Sequence, residues 1–279
     1  MQLRFLGTGT SSGVPVIACR CPVCLSTDPR DSRTRTSATL EFTDATGQRR
    51  VILIDASPDL RQQAIREGLD RVDAILVTHN HVDHVWGLDE VRRFNDLMHA
   101  PIDVWADAPT QDALRRVYQH IFESEKNIQQ SFVASLELRT LEPHTPIDLF
   151  GVRVTPFTLW HGRQPVMGFR FDAPDLDPGN TLLPLAYCTD VVVIPDESRP
   201  HLADLRTLVL DALRERPHTT HFTVGQALAE TQRIGAGDTW FVHMTHDLLH
   251  AATNASLPER VNLAHDGLVI PEPGPRSDP

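Results

Sequence analysis

Apolar and polar positions alternate in short runs along much of the chain, and most runs end at glycine, proline or a charged residue. Residues 2–6 (QLRFL), 36–43 and 50–55 (RVILID) read as strands, with Gly47 in the TDATGQ turn suiting a hairpin between the last two. Residues 72–77 (VDAILV) are nearly all apolar, the pattern of a buried strand. Further strands are expected at 136–142, 147–150, 152–159, 185–194, 207–212 and 239–243. Helical spacing occurs at 58–68, with Pro58 near its start and Gly68 at its stop, and at 87–99, 109–122, 222–234 and near 201–205. The polar segment 172–182 reads as a loop or surface insertion. Strands and helices intermingle in both halves, with no repeat and no Gly/Ser linker. The expectation is one α/β domain of two similar halves over residues 1–268, followed by a disordered Pro-rich tail at 269–279.

Composition narrows the class. An apolar share of 41% and a charged share of 23% in 279 residues supply an ordinary core. The net charge of −11 excludes a strongly basic nucleic-acid surface at the level of the whole chain, so a small, solvated or locally captured substrate fits better. No run approaches the ~18 apolar residues of a membrane span. The opening MQLRFLGTGTSSG lacks the layout of a secretory signal, so a cytoplasmic protein is expected. Fourteen histidines are the unusual feature.

Two clusters carry the chemistry. His79-Asn80-His81-Val82-Asp83-His84 follows directly on the buried strand at 72–77. Four potential donors in six residues cannot all point one way on a strand or a helix. They suit a loop wrapped around metal, and imidazole with carboxylate serves zinc, manganese or iron. The second cluster is Cys19-Arg20-Cys21-Pro22-Val23-Cys24. Thiols this close make a strained disulfide or leave one thiol over, whereas three of them suit zinc with a fourth donor. His246, in the HMTH segment at 243–246, is the best fourth donor, so a structural Cys₃His zinc is expected. Cys188 sits in an apolar run and reads as a plain core residue.

The loop motif resembles that of the metallo-β-lactamase superfamily of binuclear metallohydrolases. The opening LGTGTSSGVP, the CRCPVC cluster, THNHVDH, YCTD and HMTH together resemble its PhnP-like branch, which includes phosphoribosyl cyclic phosphodiesterases. The likeness runs from about residue 3 to about 250 and is carried by the motifs. It implies a four-layer αβ/βα sandwich, two mixed sheets flanked by helices. It implies two active-site ions, zinc or manganese, one held by His79 and His81 and the other by Asp83 and His84. His161 (TLWHG), Asp190 as the bridging carboxylate (YCTD) and His243 (WFVH) complete the set, each after a strand. Asp55, at the end of RVILID, would orient the histidine loop without ligating. Homodimers occur among the relatives, although nothing in this sequence alone shows one.

The activity implied is hydrolysis of a small cyclic phosphate, ribosyl 1,2-cyclic or nucleoside 2′,3′-cyclic, by water activated between the two ions. The candidate catalytic residues are His221 and Asp83. His221 precedes the helix at 222–234, where the dipole also favours phosphate, and would supply a proton to the departing oxygen. His218, three residues earlier, is the second choice for that role. GTGT at 7–10 is too short for a phosphate-binding loop and reads as a turn beside the metal site. Alternatives on the same fold are a thioester or lactone hydrolase, a tRNA 3′-processing nuclease and a non-hydrolytic protein like PQQ-synthesis B. Acidity weighs against the nuclease. The complete donor set weighs against the non-hydrolytic reading.

Overall fold

The computed structural model describes residues 1–128, 132–176 and 179–271. The first sheet is built from β1 (Gln2–Gly7), β2 (Ser37–Thr43), β3 (Arg49–Ile54), β4 (Ala74–Leu76), β5 (Ile102–Ala106) and β6 (Leu136–Thr140). The second is built from β7 (Ile147–Leu149), β8 (Val152–His161), β9 (Gln164–Asp172), β10 (Leu185–Cys188), β11 (Thr207–Asp211), β12 (Asp238–Val242) and β13 (Val261–Leu263). A last strand, β14 (Val269–Ile270), returns to the first sheet. The strand orders are β14-β1-β2-β3-β4-β5-β6 and β13-β12-β11-β10-β9-β8-β7, each sheet mixed and seven-stranded.

Strand alternation builds the four layers. In β3, Ile52 and Ile54 join a core between the sheets with Phe169 and Phe171 of β9 and Tyr187 of β10, while Leu53 points the other way. Leu53 packs among residues of α1 (Leu60–Glu67), α2 (Val82–Val85), α3 (Arg92–Met98), α4 (Ala108–Val117) and α5 (Gln119–Phe122). In β11, Val209 faces the inter-sheet core, whereas Leu208 and Leu210 pack with Val224 and Ala227 of α6 (Val224–Ile234). α6 starts at Thr223, whose side chain and that of Gln226 form a reciprocal cap. This fixes where the chain turns just after His221.

Strands β3, β4 and β5 run parallel, as do β10, β11, β12 and β13. Their C-terminal ends, with that of β8, present the histidines and carboxylates described below. The GTGT turn lies beside this edge: Gly9 bridges both Arg35 and Met244, and Thr10 N–H donates to the Met244 carbonyl over 3.1 Å. A Cβ on Gly9 would stand 2.8 Å from the Arg33 carbonyl oxygen, so only glycine permits this approach.

Local readings change at several points. The strand expected at 185–194 ends at Cys188, because the chain turns out of the sheet and Asp190 takes φ +54°. The helix expected near 201–205 is a 3₁₀ turn at Asp196–Leu202 containing Pro200. Strand β9 is invisible in the pattern because Pro165 and Gly168 interrupt it; a Cβ on Gly168 would meet the Phe157 ring at 2.6 Å. Nor does the pattern mark α7 (His250–Ser256), β13 or β14. The ordered domain also runs past residue 268, since Val269 and Ile270 pair antiparallel with Arg4 and Leu3. The remainder of the expected tail, 272–279, lies outside the described residues. Among the described residues no helix is long and apolar enough to cross a membrane.

Candidate metal centre

The loop after β4 and the strand ends of the second sheet meet at one point. His79, His81, His161 and Asp190 offer donor atoms within 4.8 Å of one another, and so do Asp83, His84 and His243. Asp190 stands between the sets. Its carboxylate lies 3.1 Å from His84 Nε2 and 3.4 Å from His243 Nε2. Asp83 Oδ2 lies 3.4 Å from His84 Nε2 and 3.6 Å from His243 Nε2. Every one of the seven residues expected from the sequence is present.

Partners on the far side of the rings fix their orientation. His84 Nδ1–H donates to Asp55 Oδ2 over 2.7 Å. The Thr78 hydroxyl donates to the same oxygen over 2.8 Å and accepts from His79 Nδ1–H over 3.0 Å. One fully buried carboxylate therefore sets the tautomer of two rings and leaves both Nε2 atoms facing inward. His161 Nδ1–H donates to the Thr220 carbonyl over 2.9 Å, with the same result. Three non-glycine residues at this edge, Asp55, Asp190 and His243, hold φ of +59°, +54° and +62°. Such backbone costs about 1–3 kcal/mol each and persists where surrounding structure demands it.

The donor chemistry fits metal ions. Nε2 of His79, His84 and His243 is buried and makes no hydrogen bond. Burial pushes the His79 imidazole well below its ordinary value, into the neutral form that ligates. Burial opposes the charges of Asp83 and Asp190, yet the surrounding imidazoles hold both well below the carboxylate range. Burial likewise opposes a charge on His84, and the carboxylates of Asp190 and Asp55 nonetheless raise it well above its ordinary value. A cluster whose carboxylates draw positive charge onto His84 while His79 stays neutral is one that a divalent cation satisfies.

His221 stands beside the centre. Its ring stacks on His243 with centroids 4.8 Å apart, and its Nε2 lies 4.0 Å from Asp190 Oδ1. His221 Nδ1–H donates over 2.6 Å to Asp211 Oδ2, a fully buried carboxylate at the end of β11 that also accepts from the Val191 N–H. The sequence reading missed Asp211. The signal was there: TLVLD ends an apolar strand in aspartate just as RVILID does.

A family model described as the beta-lactamase superfamily domain matches residues 50–244. A crystal structure described as a new diphosphatase from the PhnP family is 38% identical, with TM-score 0.84 and 96% of each chain covered. The chain is a PhnP-like member of the metallo-β-lactamase superfamily. This PhnP-like chain is also 37% identical, over 99% of its length, to an octanoyltransferase of Porphyromonas gingivalis, of which the match covers 53%. It thus spans about half the length of that relative. Zn(2+)-bound PqqB from Methylobacterium extorquens is 21% identical, with TM-score 0.74 and 97% and 99% of the two chains covered, a likeness of fold. The PhnP-like chain thus combines the metallo-β-lactamase fold with a buried donor set suited to metal ions.

The cysteines of this PhnP-like chain form a separate cluster. Cys19, Cys21 and Cys24 place their sulfurs 3.3, 3.5 and 3.5 Å from His246 Nδ1. The Cys24 N–H pulls the Cys21 thiol down to about 6, whereas burial raises Cys24 to about 11. Four donors around one point, three of them thiols, suit a zinc ion. The segment between His243 and His246 is anchored by the fully buried Arg33, whose guanidinium donates to the carbonyls of Thr245 and Leu248 over 2.8 and 2.6 Å. Cys188 lies in the core beneath α6, as expected of a packing residue.

Proposed function

We propose that this chain is a phosphodiesterase that hydrolyses a small cyclic phosphate at two divalent ions. His79, His81 and His161 would hold one ion, Asp83, His84 and His243 the other, and Asp190 both. Zinc or manganese fits these donors, and a structural zinc fits Cys19, Cys21, Cys24 and His246. When bound, the active-site ions supply Lewis-acid charge and lower the pKa of water. The protein's own groups do the rest. Asp55 and Thr78 hold the donor rings in place. Asp83, ionised beside His84 and His243, would serve both as donor and as a catalytic carboxylate.

The observation that carries the phosphoryl reading is the His221–Asp211 pair. Asp211 holds His221 Nδ1 at 2.6 Å and leaves Nε2 4.0 Å from Asp190 Oδ1, beside the donor cluster. A charged His221 there donates a proton to a departing alkoxide, and Asp211 stabilises that charge. The relative described as a diphosphatase supports the same chemistry. A second reading, acyl-ester hydrolysis, is favoured by the octanoyltransferase that matches along nearly the whole chain.

Metal-loaded protein assayed on ribose 1,2-cyclic phosphate, a 2′,3′-cyclic nucleotide, bis(p-nitrophenyl) phosphate and an acyl thioester separates these readings. Turnover of the phosphates is the expected result. Turnover of the thioester alone defeats the proposal and favours acyl chemistry. Inactivity toward the whole panel defeats both and favours a non-hydrolytic role.

A further inference from the structure

One imidazole beside the centre has no part in the scheme above. His218 is half-buried, and its ring centroid lies 5.2 Å from that of His221, which itself lies 4.8 Å from His243 and 4.5 Å from His161. The three rings His243, His221 and His218 form a row leading outward from the metal donors.

Thr220 sets the state of the outermost ring. Its N–H donates to His218 Nδ1 over 3.3 Å, and its hydroxyl lies 3.1 Å from the same atom. A backbone N–H only donates, so Nδ1 accepts and the proton of the neutral ring sits on Nε2. That Nε2–H enters no hydrogen bond among the described residues. His221 has the opposite tautomer, because Asp211 takes its Nδ1–H and leaves a neutral Nε2 bare. The inner ring must be charged to donate. The outer ring donates while neutral.

The backbone that carries both rings is braced. The Thr220 carbonyl accepts from His161 Nδ1–H over 2.9 Å, and a Cβ on Gly162 would crowd Thr220 Cγ2 at 2.8 Å. His218 is therefore a fixed donor one ring width beyond the proton donor of the proposed reaction. A charged oxygen is the acceptor that rewards such a donor most.

We propose that His218 is a specificity-determining residue whose Nε2–H binds an oxygen of a second phosphoryl group, on the leaving side of the phosphorus attacked. Among acyclic diesters, those of diphosphate are then preferred over those with a single phosphoryl group. This rests on the phosphodiesterase reading. In the reaction the water oxygen bonds to the attacked phosphorus and the bridging P–O bond breaks. The bridging oxygen leaves with the bond's electron pair on the second phosphate and takes a proton, while the water's other proton is released from the product acid.

The test compares diadenosine diphosphate with bis(p-nitrophenyl) phosphate, which has a single phosphoryl group, on manganese- or zinc-loaded protein. His218→Ala is expected to lower the ratio of kcat/KM for the diphosphate over the monophosphate diester about tenfold, mainly through KM, the size of one hydrogen bond to a charged oxygen. His218→Gln, whose side-chain N–H reaches toward the place of Nε2–H, recovers most of the ratio. An unchanged ratio, or equal losses on both substrates, overturns the assignment. So does a native protein that cleaves bis(p-nitrophenyl) phosphate but not diadenosine diphosphate, and the phosphodiesterase reading survives that result. Failure to cleave either substrate by a protein that turns over the cyclic phosphates overturns the assignment alone, and failure on the cyclic phosphates as well overturns both readings.

Discussion

The two sheets furnish the metal centre in different ways. The first contributes four donors from one stretch of six residues, His79 to His84, that runs from the end of β4 into α2, so that Asp83 and His84 stand on a short helix rather than the expected loop. The second contributes His161, Asp190 and His243 from three different strand ends. Yet each half backs a histidine with a buried aspartate, Asp55 behind His84 at 2.7 Å and Asp211 behind His221 at 2.6 Å. In the first half the backed ring faces the donor cluster directly. In the second it stands alongside, free to meet a substrate. On the proposed reading, one device would serve metal binding in the first half and proton transfer in the second.

Removing the residue that both halves share has the largest expected effect. Asp190→Ala should empty both active-site positions and lower phosphodiester turnover by at least about 10⁴-fold, since ions contribute several kcal/mol to the transition state. Metal analysis alongside kinetics checks both parts. His221→Ala, on the second side only, should lose about 10²–10³-fold in kcat with metal content unchanged. Retention of full activity would remove His221 from the chemistry.

The two aspartates sharpen the contrast. Asp55→Ala should weaken metal binding about 10–100-fold, seen as a shift in the metal concentration that restores activity. Asp211→Asn should keep the metals and slow turnover about tenfold, because the amide still orients His221 without stabilising its charge. If both variants behaved alike, the division of labour between the halves would fall. The smallest effect belongs to the cysteine cluster, away from the chemistry. Cys21→Ser should lose one zinc per chain and lower Tm by roughly 2–8 °C, for a loss on the order of 2 kcal/mol.

The same contrast explains what could be read from the sequence. Adjacency made the His79–His84 loop legible, since donors that crowd a loop after an apolar strand have few other uses. His161, Asp190 and His243 are single residues at strand ends, and only the order implied by family resemblance selected them. Asp211 escaped because an aspartate closing a strand reads as a turn residue until its partner is seen. β9 escaped because Pro165 and Gly168 mask a strand whose glycine answers to the Phe157 ring rather than to a turn. The short final strand escaped because two residues carry no period.

That final strand also decides how the molecule can be joined to others. Pairing of Val269 with Arg4 and of Ile270 with Leu3 brings the two ends of the described chain to one corner. The corner lies at the start of β1, whereas the donors gather where β1 finishes. A second module attached at either end would hang from the floor of the domain and leave the mouth open to solutes. Tethering for substrate hand-over, as in a polypeptide of twice this length, then needs no rebuilding of the catalytic edge.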